Sequence, residues 1–346
     1  MSYIKPQKLK KGDKIAVVSL SSGSIGEQKN LYRYEKGKKV LEDVFGLEVV
    51  PMPNALKGKE WVKEHPELRA KDLMDAFKDN TIKGIITMTG GDDTVRILPY
   101  VDFDIIRNNP KIFMGYSDTT ANHFIMNKAG IVSFYGPALA VEFSLNEVSD
   151  STIKTMFATL FEKHNNRELK HLNILANDPL DWNERVLNYK EDDRGYELLQ
   201  GEGVVSGELI GGCIEIFMMI NGTSIWPSPE EWKNKILAIE TSEDQPSPDY
   251  LKWALLNLGA QGILQNINGI IVGRPKEDQY YEEYKDVYRE ITRQYGREDL
   301  PILYNCHFGH AWLWDILPFG CKAQIDCEQK SLSLIENCVE DDLERV

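Results

Sequence analysis

The 346-residue chain has no apolar run long enough to cross a bilayer, so no segment reads as a membrane span. Its start, Met1-Ser-Tyr-Ile-Lys-Pro6, lacks the apolar centre of a secretory leader. Cysteine is scarce. The five residues Cys213, Cys306, Cys321, Cys327 and Cys338 are odd in number and widely spaced, with no C-x-x-C. This argues against a disulfide framework and a zinc site, and fits reduced thiols in a cytoplasm. Basic residues are outnumbered: Lys and Arg total 40 against 54 Asp and Glu, for a net charge of −14. Such a surface repels nucleic-acid polymers and anionic membranes, but a small nucleotide can still sit in a local pocket. Glycine-rich nucleotide fingerprints are missing too. Neither Gly90-Gly91 nor Gly211-Gly212 extends into Gly-x-x-Gly-Lys or Gly-x-Gly-x-x-Gly. There is no internal repeat and no low-complexity segment. With 42% apolar and 27% charged residues, the chain has the balance of a globular protein with room for two cored domains.

What is present is alternation. Lys14–Leu20, Leu47–Pro51, Ile82–Met88, Ile112–Met114 and Gly130–Tyr135 read as strands, with helical patterns such as Arg69–Phe77 between them. Strands alternating with helices predict an α/β fold with a parallel sheet, and in such sheets ligands lie at the carboxyl ends of the strands. Ser21–Ser24, Gly90–Asp93 and Ser117 fall at such ends and should converge. The texture changes after about residue 145. Residues 163–196 are polar and read as a linker with excursions. A second set of strands follows: Gly201–Leu209, Lys235–Ile239, Gly269–Gly273, Ile302–Tyr304 and Cys321–Leu334, the last an antiparallel pair turning at Glu328–Ser331. The expected division is 1–162 for an N-terminal domain, 163–200 for a linker, and 201–346 for a C-terminal mixed α/β domain.

The sharpest feature is Lys111-Ile-Phe-Met-Gly-Tyr-Ser-Asp-Thr-Thr120: strand, tight turn with serine at its tip, helix. This arrangement lifts a serine hydroxyl off a sheet and aims the first N–H groups of the helix at the same point. Ser117 is therefore a candidate nucleophile. Of six histidines, His65, His164 and His171 lie in polar surroundings, and His123 lies well down the helix after Ser117. His307 and His310, in Asn305-Cys-His-Phe-Gly-His310, follow a strand and can face a crevice. A third ligand at zinc spacing is missing, so no metal is expected. A histidine base needs an orienting carboxylate. Glu240 ends the apolar strand Ile236–Ile239, with Glu243 and Asp244 as competitors. Gly90 and Gly91 can bring backbone N–H groups close to a substrate oxygen, or simply make a tight turn.

Several segments resemble one family. Arg69-Ala-Lys-Asp-Leu-Met-Asp-Ala-Phe77, Gly90-Gly-Asp92, Pro110–Thr120, Phe134-Tyr-Gly-Pro-Ala-Leu139, Leu209-Ile-Gly-Gly212, Ile239-Glu-Thr-Ser-Glu243 and Phe308-Gly-His310 are similar, in order, to the LD-carboxypeptidase / microcin C immunity family of serine peptidases. The resemblance implies a flavodoxin-like N-terminal domain and a triad of Ser117, Glu240 and His310. It also implies an oxyanion hole from the N–H groups of Gly91 and Asp118, no cofactor, and a cytoplasmic homodimer. The matching segments look closer to the microcin C immunity branch, which implies cleavage of an amide in an aminoacyl- or peptidyl-nucleotide. A murein L,D-amide is the alternative substrate, and a non-catalytic small-ligand binder is the alternative class. Gly90, Glu243 and Trp182 are expected to contact substrate. Trp182, in Pro179-Leu-Asp-Trp-Asn183, is placed to stack on a base or to pin the linker. Two positions depart from the family pattern. Cys213 stands where Asn is frequent, and the serine turn lacks the second glycine of Gly-x-Ser-x-Gly.

Overall fold

The computed structural model describes residues 3–179, 185–312 and 314–341. Five parallel strands form the first sheet in the spatial order Glu48–Pro51, Lys14–Val18, Ile82–Thr87, Ile112–Gly115, Ser133–Tyr135. This is the flavodoxin-like order, with its crevice where the order reverses, at the carboxyl ends of Lys14–Val18 and Ile82–Thr87. These strands carry helices on both faces, which is why they read as near-continuous apolar runs: Ile15–Val18, Ile85 and Phe113 are fully buried. Helix Leu31–Phe45 stops at Gly46, and helix Thr120–Ala129 stops at Gly130, both glycines left-handed.

The second sheet has eight strands. Its centre is parallel: Val204–Cys213, Lys235–Glu240, Gly269–Gly273 and Ile302–Cys306. Antiparallel strands flank it, Glu197–Gln200 on one side and Lys322–Asp326 with Ser331–Leu334 on the other. Helix Pro248–Ala260 starts at Ser247, whose side chain accepts the Tyr250 N–H, with proline at the first position. The mixed α/β architecture is the expected one.

Two features differ from the sequence reading. Among the described residues, 163–196 hold three short strands. Arg167–Leu169 pairs with Ser331–Leu334 and edges the second sheet, while Ile174–Asn177 and Asn188–Glu191 form a ribbon. At three or four residues each, these strands are too short to show a clear period of two. The other difference is Leu317–Phe319, which leaves the C-terminal half and adds antiparallel to Ser133–Tyr135 in the first sheet.

The two sheets are locked together near Ser117. Phe124, on the helix that follows it, stacks on Trp226 at 5.4 Å and meets Phe217 edge-on at 5.6 Å. Thr120 Oγ1 accepts the Cys213 N–H at 2.9 Å. Among the described residues, no helix is long and apolar enough to cross a membrane.

Candidate active site

Ser117 follows strand Ile112–Gly115 and opens the turn into helix Thr120–Ala129. Its φ is +63°, a left-handed backbone on a non-glycine residue. Such strain costs about 1–3 kcal/mol and persists only where the surroundings enforce it. The enforcement is visible. His123, on the following helix, bonds Ser133 Oγ at 2.8 Å and the Gly115 carbonyl at 2.9 Å, bracing the strand end. Burial lowers its pKa to about 4, so it stays neutral. The Ser117 N–H donates to Tyr135 Oη at 3.2 Å.

Gly90 packs directly over the serine. A side chain there would put its Cβ 2.8 Å from Ser117 Cβ and 2.9 Å from Oγ, so only glycine leaves the hydroxyl open. Among the described residues, neither the Gly91 nor the Asp118 N–H donates to another group. The Asp118 carboxylate turns away and receives the N–H groups of Asp93 and Thr94 at 3.0 and 2.8 Å. Arg69, 1% exposed, fixes the neighbouring loops by donating to the Leu20 carbonyl and to Asp93.

Glu240 ends strand Lys235–Glu240 and is 1% exposed, not the first solvated residue after the strand. Its Oε2 meets His310 Nδ1 at 2.7 Å and its Oε1 accepts the Tyr135 hydroxyl at 2.5 Å. Gly309 makes this approach possible. Its φ is +93°, and a Cβ on it would sit 2.5 Å from Glu240 Oε2. Tyr135 thus joins the serine backbone to the carboxylate that holds the histidine. The segment Phe134-Tyr-Gly136 gives Tyr135 no role by itself; the only signal in the sequence is a tyrosine at a strand end beside the crevice.

The second nitrogen of His310 is also occupied. Nε2 meets Glu243 Oε2 at 2.9 Å, and Ser117 Oγ makes no hydrogen bond to the ring. Glu240 and Glu243, rivals in the sequence, therefore flank one imidazole. Burial opposes charge on that ring, but the two carboxylates prevail and raise its pKa to about 10. Glu243 is lowered to about 2, mainly by its hydrogen bond to His310. Burial raises the pKa of Glu240 even as His310 pulls it down. Tyr116 packs edge-on against His310 at 4.9 Å and against Trp314 at 4.6 Å. Buried Glu142 lies beside it and accepts the Ala138 N–H at 2.9 Å.

His307 is turned elsewhere. It lies on His171 at 4.2 Å between ring centres, and burial lowers its pKa to about 3. Cys213 is buried, with Sγ 3.2 Å from Glu215. Trp182 lies outside the described residues. Among the described residues, no group of three or more His, Cys, Asp or Glu is placed to hold a metal.

A flavodoxin-like sheet that presents a serine on a strained strand-to-helix turn, near a buried carboxylate–histidine pair, belongs to the α/β serine hydrolases. The comparisons refine that class. Residues 15–136 match the LD-carboxypeptidase N-terminal domain and residues 206–325 the LD-carboxypeptidase C-terminal domain. The chain belongs to the LD-carboxypeptidase family and is a serine-type peptidase. It is 30% identical over 277 residues to the microcin C7 self-immunity protein MccF of Escherichia coli, covering 78% of each chain. It is 28% identical to a probable murein peptide carboxypeptidase of Bacillus subtilis, covering 94% of this chain and 93% of that one. An MccF-like protein from Streptococcus pneumoniae, solved in complex with AMP, superposes with a TM-score of 0.83 at 32% identity over 93% of this chain and 98% of the other.

Proposed function

We propose that Ser117, His310 and Glu240 form a catalytic triad that hydrolyses the amide of an aminoacyl- or peptidyl-nucleotide, as in immunity to, or detoxification of, a microcin C-like compound. The observation that carries the triad is the buried Glu240–His310 contact of 2.7 Å, tied through Tyr135 to the Ser117 backbone. Ser117 Oγ bonds to the amide carbon while its proton passes to His310 Nε2. Glu240 on Nδ1 holds the ring's orientation and offsets its charge. The oxyanion is received by the Gly91 and Asp118 N–H groups. The carbon–nitrogen bond then breaks, and the Nε2 proton goes to the leaving nitrogen. Water cleaves the acyl-serine by the same steps in reverse order. Gly90 keeps the approach to Oγ open, and Trp182 is proposed to stack on the base.

The substrate reading is supported by similarity to the AMP-bound Streptococcus pneumoniae protein and to MccF solved with aspartyl sulfamoyl adenosine, the latter at 25% identity and a TM-score of 0.82. The murein reading keeps a specific support, the Bacillus subtilis relative matched over nearly its full length. The division into domains 1–162 and 201–346, a cytoplasmic location and a homodimer belong to the same proposal. The deciding experiment is hydrolysis by purified protein of aspartyl sulfamoyl adenosine and of a murein tetrapeptide. Higher kcat/KM on the nucleotide is expected. Turnover of the tetrapeptide alone would replace this substrate with the murein one. Binding of either without turnover would favour a small-ligand binder.

A further inference from the structure

His310 presents an unusual state for a catalytic base. A neutral imidazole carries one N–H and one lone pair, yet both ring nitrogens here face carboxylates that can only accept. Glu240 is at 2.7 Å from Nδ1 and Glu243 at 2.9 Å from Nε2. Two acceptors call for two N–H groups. With both carboxylates ionised the ring is an imidazolium, and the nitrogen that must take the Ser117 proton is protonated and turned to Glu243.

The two carboxylates are not equivalent. Glu240 is enclosed, its second oxygen is held by Tyr135, and Gly309 presses against it. The Glu243 side chain is 57% exposed and stands on the turn after the strand. It is the partner that can leave. Leaving strands a carboxylate in a neighbourhood already holding Glu240 and Glu142, whose charges both reach His310. Besides His310, the Lys276 charge acts on Glu243, but Lys276 is engaged with Asp178 at 2.9 Å and lies over the Trp312 ring at 5.8 Å. A substrate that supplies its own cation removes this cost.

We propose that Glu243 is the recognition site for a free ammonium next to the scissile carbonyl, and that its transfer from His310 to that ammonium lets the Nε2 proton, no longer held by a second carboxylate, pass to solvent, which frees the Nε2 lone pair for the Ser117 proton. Glu243 touches the ring atom that must receive the serine proton, so the cation it takes must lie within one or two bonds of the reacting carbon. The α-ammonium of an aminoacyl group meets this requirement; an acylated amine does not. The inference rests on the serine mechanism proposed above and names the group that the same site selects.

The test uses small serine-reactive probes with no nucleotide, so it does not depend on the leaving group. An α-aminoalkyl phosphonate diphenyl ester is compared with its N-acetyl analogue. Ser117 Oγ bonds to phosphorus, one phenoxide departs, and the serine proton leaves with it as phenol. Wild type should be labelled about tenfold or more faster by the free amine, the size expected for one charge-assisted contact. Glu243→Gln should bring the two rates within about twofold of each other, partly by speeding the acetylated probe, whose reaction no longer has to displace a carboxylate. A loss of fold or of general reactivity would slow both probes alike and leave the ratio unchanged. An unchanged ratio in a Glu243→Gln protein whose circular dichroism matches wild type and whose free-amine probe still labels Ser117, or equal rates in wild type, overturns the role of Glu243. Labelling by both probes that persists in Ser117→Ala overturns the serine mechanism itself, and this inference with it.

Discussion

His307 and His310 stand three residues apart in one loop, both nearly buried, and their environments drive them in opposite directions. His310 sits between two carboxylates and is raised to about 10; His307 is lowered to about 3 by burial, with the neighbouring His171 and the Arg274 charge adding to it. The lesson is that burial alone does not set the charge of an imidazole. Burial disfavours the cation in both places, and only where an anion is in contact does the cation survive. The same three-residue step separates a ring facing the serine turn through Tyr116 from one lining a different cavity of about 730 Å³ with Arg167, Trp314 and Asp315.

The sharpest way to break this comparison is to remove each ring. His310→Ala, like Ser117→Ala, is expected to cut kcat by on the order of a million-fold, whereas His307→Ala should stay within about tenfold of wild type. Steady-state hydrolysis of the substrate accepted by the wild type reads this directly; a dead His307→Ala would reverse the assignment. The two carboxylates come next. Glu240→Ala should cost about 10⁴-fold in kcat, and Glu243→Ala far less, because in the proposed mechanism only Glu240 holds the ring during both proton transfers. If Glu243→Ala is the more damaging, the orienting role passes to it. Tyr135→Phe is expected to be milder: about tenfold in kcat and about 1.5–3 kcal/mol in unfolding free energy, from losing a hydrogen bond to a buried carboxylate. A denaturant titration that matches wild type would show the hydroxyl to be dispensable.

Stability against pH sharpens the contrast further. The His310 pKa is raised above the ordinary 6.5, so its contribution is complete below about pH 6.5 and is lost as the pH rises toward 10. Glu240, Glu243, Tyr116 and Glu142 are the groups that face it. The His307 pKa is depressed from the same 6.5, so its contribution is complete above about pH 6.5 and is lost as the pH falls toward 3. Melting temperature across pH should therefore flatten on the alkaline side for His310→Gln and on the acid side for His307→Gln. Flattening on the opposite sides would show that the charges have been assigned the wrong way round. The smallest effect expected is none: treatment with a chelator should leave turnover unchanged. Loss of activity that a divalent ion restores would reject the serine mechanism.

Much of this site is legible in the sequence because it is local. The apolar run Ile112–Met114 followed by Gly-Tyr-Ser-Asp shows the strand, the turn and the serine, and the structure adds only the strained φ. Glu240 is legible as a strand end, but not as buried, since its enclosure comes from Gly309 and Tyr135, some 70 and 105 positions distant. The pairing of Glu243 with the same ring is hidden for a similar reason: two carboxylates three residues apart look like rivals until a ring with two nitrogens is placed between them. The crossing of Leu317–Phe319 into the first sheet is illegible, because three apolar residues carry no signal of which edge they will join. The strand Arg167–Leu169 fails in the same way.

That crossing strand has a consequence for the timing of synthesis. Residues 14–135 emerge from the ribosome first and can build five parallel strands, but the edge at Ser133–Tyr135 stays bare until residues 317–319 arrive. Tyr135 lies on that edge, and its hydroxyl is the link between Ser117 and Glu240. The nascent chain therefore carries an open strand edge until residues 317–319 have been made. Closure of the edge is a late event, and a chain truncated before residue 317 would leave the strand that carries Tyr135 without its outer neighbour.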